Sequence, residues 1–206
     1  MLKLTKKITS SLPILFLLFG FAWHAQAYAD PEVLVKDTTD KMLSALKAEK
    51  AAIDKDPKII YGLVKEIAVP HFDFIGMSKW VLGKYWRRAS KEQKLRFIRA
   101  FRSMMVRTYA VALLDYTDQK INFLPLRDDV TKGDVTVKTE VVQAGKPAVA
   151  VNYSLHLKKS AWKVYNISVD GISLIANYRT SFATEIKQQG LDSLIERLEK
   201  HNEKAK

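Results

Sequence analysis

The side chains that could do chemistry are few and scattered. The 206-residue chain holds four His, at positions 24, 71, 156 and 201, and no Cys. His71, His156 and His201 are never three or four residues from another His, so no helix turn offers two imidazoles to one metal ion. Neither HExxH nor an acidic calcium loop occurs. Each of these His reads as a surface or packed residue. Gly171-Ile172-Ser173-Leu174-Ile175 begins like the G-x-S-x-G nucleophile elbow but lacks the final Gly, and the pattern offers no parallel strands to carry it. There is no P-loop and no GxGxxG. Asn152-Tyr153-Ser154 and Asn166-Ile167-Ser168 match a glycosylation sequon, but both fall on expected strands.

One carboxylate stands apart. Asp73 lies between Phe72 and Phe74. A carboxyl group against apolar rings can have a raised pKa and act as a general acid or base. The plainer role is to cap the helix that follows Pro70-His71. On the residues alone, an enzyme of isomerase or hydrolase type using Asp73 or Tyr165 stays open, as does a non-lipid envelope adaptor with a filled core.

The elements that would position these groups begin after an export signal. Lys3, Lys6 and Lys7 form a positive start, Leu12 to Trp23 is an uncharged apolar run, and Ala27-Tyr28-Ala29 is a small-x-small cleavage site before Asp30. Residues 1–29 therefore read as a signal peptide and 30–206 as one domain. Removing residues 1–29 takes three Lys and no acid from a balance of +12, leaving +9. A basic exported chain points to anionic partners such as lipid headgroups, envelope polymers or acidic proteins, and not to nucleic acid. Without Cys it has neither disulfide nor thiolate metal site and holds together by packing.

Residues 31–115 read as helical. Val35, Thr39, Met42 and Leu46 share one face of a helix over 31–49. Pro57 opens a second helix, Pro70 stops it, and a third, short helix over 72–82 ends at Gly83. Ser90-Lys91-Glu92-Gln93 is a capping box before a long helix reaching about Asp115. The period then changes to two. Val135, Val137, Thr139 and Val141 alternate with polar residues, as do Val149, Val151, Tyr153, Leu155 and Leu157, giving an antiparallel meander over 119–169. On the last strand, Trp162 and Val164 point one way and Tyr165, Ile167 and Val169 the other, so both faces carry apolar groups. Two helices close the chain over 172–203, separated by Gly190. Helices, then antiparallel strands, then helices make an α+β fold, with a curved sheet of about four strands and helices on one side. Such a half-closed cone is either filled by its own side chains or holds a ligand. The excess of large apolar residues offered to one small sheet favours a cavity.

Three stretches, in order, resemble the MlaC family of periplasmic phospholipid carriers, the toluene-tolerance family. They are HFDFIGMSKWVLGKYWRRASKEQKLRFIRAFRSMM, WKVYNISVDGISLIANYRTSF and GLDSLIERL. The resemblance implies a cone-like fold of nuclear-transport-factor type around a deep apolar pocket. It implies that the pocket takes the acyl chains of a phospholipid, carried as cargo with no cofactor, no metal and no catalytic residue. It implies shuttling between an outer-membrane lipoprotein–porin complex and an inner-membrane ABC transporter complex with its substrate-binding-type subunit. The expected wall comes from the helices through Phe74, Met77, Trp80, Leu82, Phe101, Met105 and Tyr109. The strands add Val137, Val149, Val151, Tyr153, Trp162 and Val164, and the corner after them Ile172, Leu174 and Ile175. Arg87, Arg88, Arg99 and Arg102 are the expected partner or headgroup contacts.

Overall fold

A computed structural model describes residues 30–115 and 119–204. The expected signal peptide, 1–29, lies outside the described residues. Asp30 opens α1 (Pro31–Ala48), its Oδ1 accepting the Glu32 N–H at 2.7 Å, with Pro31 at the position where no N–H is needed. Then come α2 (Lys50–Lys55) and α3 (Ile59–Ile67), and a single 3-10 turn at Val69–His71. α4 (Phe74–Leu82) ends at Gly83, whose φ of 51° and ψ of −119° suit only glycine and let α5 (Lys84–Arg88) start at once. The Ser90–Gln93 capping box is present and opens α6 (Lys91–Ala110). α6 gives way to a 3-10 turn at Val111–Leu113, short of the expected end at Asp115. Sequence periodicity had not revealed α2 and α5, which are too short to show a stripe.

The sheet has five strands, not four, in the order β1 (Lys120–Phe123), β2 (Asp134–Val142), β3 (Val149–Lys158), β4 (Ala161–Val169) and β5 (Ile172–Ser173). All neighbours are antiparallel. The fifth strand is two residues long and follows the Asp170-Gly171 turn, where both residues have positive φ. One expectation is corrected here. Leu155 faces Val164 but Ser154 faces Asn166, so β4 carries an extra residue, Tyr165. This bulge interrupts the two-residue alternation and brings Val164, Ile167 and Val169 to one face. α7 (Leu174–Gln189) and α8 (Leu191–Lys204) complete the fold.

Three apolar clusters form the interior. α4, α6, α7 and α8 close around Phe97, Phe101, Phe182 and Leu194. α1 lays Val35 on Val135, Val137, Leu155, Trp162 and Val164 of the sheet. The far end of α1 meets α2, α3 and α6 through Met42, Ile53, Ile60 and Ala110. α8 is also held by ion pairs, Arg96 to Glu199 and Arg197 to Glu185, each at 2.7 Å. Among the described residues no helix is long and apolar enough to cross a membrane.

A candidate apolar binding cavity

The three clusters do not close completely where they meet. A cavity of about 490 Å³ remains between helices and sheet, within the range of roughly 300–1,000 Å³ typical of ligand sites. α1 lines it with Leu34, Val35, Thr38, Thr39, Met42 and Leu43. The segment around the first 3-10 turn adds Val69, His71 and Phe72. α6 and the turn after it supply Met105, Val106, Tyr109, Ala110 and Leu113. The sheet contributes Ile121, Val141, Val151, Tyr153, Val164, Ile167 and Val169 from one face. Among the described residues, the charged or polar side chains in the lining, besides the two tyrosines, are Thr38, Thr39, His71, Asp115 and Gln119.

Local chemistry places this wall. Thr139 sits among the inward valines of β2, yet its hydroxyl donates to the Val151 carbonyl at 2.7 Å, so it adds no free polar group to the interior. Phe72 forms a parallel bridge with Val164, and the Asp73 N–H donates to the Val164 carbonyl at 2.9 Å. That pairing continues the β4 edge and ties the start of α4 to the cavity's sheet wall. Burial pushes the Tyr153 phenol above its ordinary pKa, so it faces the cavity as a neutral group. The Tyr109 phenol is pushed up by burial and by its 3.3 Å contact with the Tyr178 hydroxyl.

Of the residues expected from the sequence, Phe74, Met105, Tyr109, Val151, Tyr153, Val164 and Leu174 line the cavity together. Nine do not. Met77, Leu82, Phe101 and Ile175 point into the closed helical core. Val137 and Trp162 are sealed under α1. Val149 lies on β3 outside the lining. Trp80 and Ile172 are 56% and 65% exposed, so they face solvent. Arg87, Arg88, Arg99 and Arg102 are all exposed on α5 and α6, and none reaches the cavity. The α1 wall was missed. Its signal was present in two adjacent threonines, Thr38 and Thr39, on an otherwise apolar stripe. Val141, Ile167 and Val169 were also missed, the last two because of the bulge.

Asp73 takes the capping role and lies outside the cavity lining. It is 6% exposed. Its Oδ1 accepts the Gly76 N–H at 2.9 Å, and its Oδ2 accepts Lys158 Nζ at 2.7 Å and lies 3.0 Å from His156 Nε2. Burial pushes its pKa up, but the Lys158 bond, the Gly76 N–H and the nearby charges outweigh that and hold the carboxyl below its ordinary value. A general acid needs the opposite shift. The Tyr165 hydroxyl donates to Asp134 at 3.3 Å and also lies outside the lining.

Fold and cavity together define an α+β protein built around an apolar chamber between helices and one sheet face. The MlaC protein family model matches residues 36–200, and the chain belongs to that family. It is 34% identical over 182 residues to the toluene tolerance protein ttg2D of Pseudomonas putida, across 87% of this chain and 83% of that protein. It is 26% identical over 197 residues to the intermembrane phospholipid transport system binding protein MlaC of Haemophilus influenzae, across 94% and 92% of the two chains. The phospholipid-binding protein of Ralstonia solanacearum, solved in complex with a phospholipid, matches with a TM-score of 0.79 at 29% identity. That match spans 86% of this chain and 99% of the other.

Proposed function

We propose that this chain is a periplasmic phospholipid carrier that holds acyl chains in the cavity and shuttles lipid between membranes without chemical change. The observation that carries the reading is the nearly all-apolar cavity, in a chain similar to a protein solved in complex with a phospholipid. The energetics demand such a chamber. Two acyl chains hold roughly 30 CH₂ groups at about 0.8 kcal/mol each, so leaving a bilayer for water costs on the order of 20 kcal/mol. A soluble carrier must offset most of that with apolar surface. The shuttle's ends are an outer-membrane lipoprotein–porin complex and an inner-membrane ABC transporter complex. Export by the N-terminal signal brings the chain to the compartment between them. The relatives named for phospholipid transport and for toluene tolerance both suit an envelope-lipid role.

The test is native mass spectrometry of the processed protein purified from cells, with extraction of the bound material. The expected result is one diacyl phospholipid per chain. A folded, empty protein that also fails to take lipid from vesicles overturns the reading.

A further inference from the structure

One helix face outside the cavity offers apolar surface to solvent. α4 buries Met77, Ser78, Val81 and Leu82. Its other side carries Ile75, Lys79 and Trp80, within about 140° of arc at roughly 100° per residue. Ile75 and Trp80 are each 56% exposed. The charge around them has one sign. α4 and α5 hold no acid, and Lys79, Lys84, Arg87 and Arg88 are all exposed. α7 adds Arg179, also exposed. A Cβ on Gly83 would lie 3.4 Å from Arg179 Nε, so this guanidinium sits at the end of α4. The carboxylates of the neighbouring elements are engaged elsewhere. Asp73, before α4, holds Lys158 and lies beside His156, and Glu185 of α7 is paired with Arg197. Glu92, in the first turn of α6, is the next acid along the chain. Among the described residues, Lys79 and Arg179 form no ion pair.

Building on the carrier reading, we propose that this α4 face docks directly on an anionic bilayer surface. Trp80 and Ile75 enter the headgroup boundary, while Lys79, Lys84 and Arg179 meet lipid phosphates. An indole has an apolar body and one N–H, which suits a boundary that is dry beneath and wet above. A bilayer, and not a folded protein, is the occupant that the chemistry favours. No exposed residue of α4 is Asn, Gln, Ser or Thr, the neutral groups whose hydrogen bonds fix a protein partner's register. A fluid surface needs only an apolar wedge in a field of opposite sign, and this face has both. The positive balance of the whole chain draws it toward the same surface from a distance. None of these residues lines the cavity. The face therefore sets how fast the chain meets a membrane, and not how much lipid the cavity holds at equilibrium.

The experiment sediments full-length processed protein with vesicles of phosphatidylglycerol mixed into phosphatidylcholine, and with vesicles of phosphatidylcholine alone. Wild type is compared with two double variants, K79Q/K84Q and I75S/W80S. The expected result is binding to the anionic vesicles that weakens as salt rises toward about 0.15 M. Each variant should lose about tenfold in that affinity. Initial rates of lipid uptake from the same vesicles should fall in step. Occupancy at equilibrium, read by native mass spectrometry, should stay at the wild-type level, which reports an intact fold and cavity. If I75S/W80S fails to fold, K79Q/K84Q decides. Variants that bind the anionic vesicles as tightly as wild type overturn the docking face. So does a wild type that loads lipid yet shows no preference for anionic vesicles; if the variants then still slow lipid delivery in cells, the face meets a protein instead. A wild type that docks through this face but never loads lipid overturns the carrier reading and leaves the docking face standing.

Discussion

Asp73 shows how much a single residue's role depends on its partners. A carboxylate flanked by two phenylalanines could be a raised-pKa acid, yet its three hydrogen-bonding neighbours hold it ionised as a cap and clamp. Asp73→Ala removes a cap worth about 1 kcal/mol and charge-assisted bonds worth about 1.5–3 kcal/mol each, so we expect a loss of about 2–4 kcal/mol in urea unfolding at pH 7. Asp73→Asn keeps a capping oxygen and loses the ion pair, and should fall between. Because the folded pKa is depressed, the clamp's stabilisation is complete above the unfolded value of about 3.9 and disappears as pH falls through the lower folded value. The gap between wild type and Asp73→Asn should therefore be full at pH 6 and close toward pH 2. A gap that instead widens in acid would contradict the depressed pKa. The variant should load lipid normally, since Asp73 is not in the lining.

At the scale of elements, short signals decide where helices start and how they meet the sheet. The capping box at Ser90 and the positive φ at Gly83 are local, and both are where the chain pattern places them. Gly76 is less obvious. A Cβ there would lie 2.5 Å from Asp73 Oδ2 and 2.9 Å from its Cγ, so the residue is small to admit the capping carboxylate. In an exposed helix, replacing Gly by Ala gains about 1 kcal/mol. Here we expect Gly76→Ala to destabilise by about 1–2 kcal/mol instead, because it expels the cap from the α4 start. Thermal unfolding of Gly76→Ala in the Asp73→Ala background checks the mechanism. With the carboxylate gone, the same substitution should become neutral or stabilising.

At the scale of the molecule, the cavity is a property of three packing clusters that stop short of one another. Filling it should uncouple binding from folding. Val151 is a partly buried sheet residue in the lining. Val151→Trp should occupy the chamber, cut phospholipid loading severalfold, and shrink the rise in Tm that lipid gives the wild type. A ligand bound only by the native state raises stability with its occupancy. Trp80→Ala, at an exposed site off the cavity, should leave loading and the Tm rise unchanged. If the two variants load alike, the chamber is not the lipid site.

The sequence by itself determined the α+β order, the helix caps, the meander and the family, because periodicity, capping and turn chemistry act within a few residues. It also placed the seven lining residues whose faces that periodicity exposes correctly, such as Met105 and Val151. What only the tertiary structure decided is which apolar face closes and which stays open. Phe101 and Met105 lie on one helix stripe, about one helical turn apart, yet the first is sealed by Tyr178 and Phe182 and the second borders the cavity. The Tyr165 bulge reverses the facing of Ile167 and Val169, and no alternation pattern can show an inserted residue. The Phe72–Val164 bridge joins residues far apart in the chain, so Phe72 and His71 come to border the cavity only once β4 has paired with the start of α4. Local pattern sets which side chains are apolar, but packing between distant elements sets which of them remain free to hold something else.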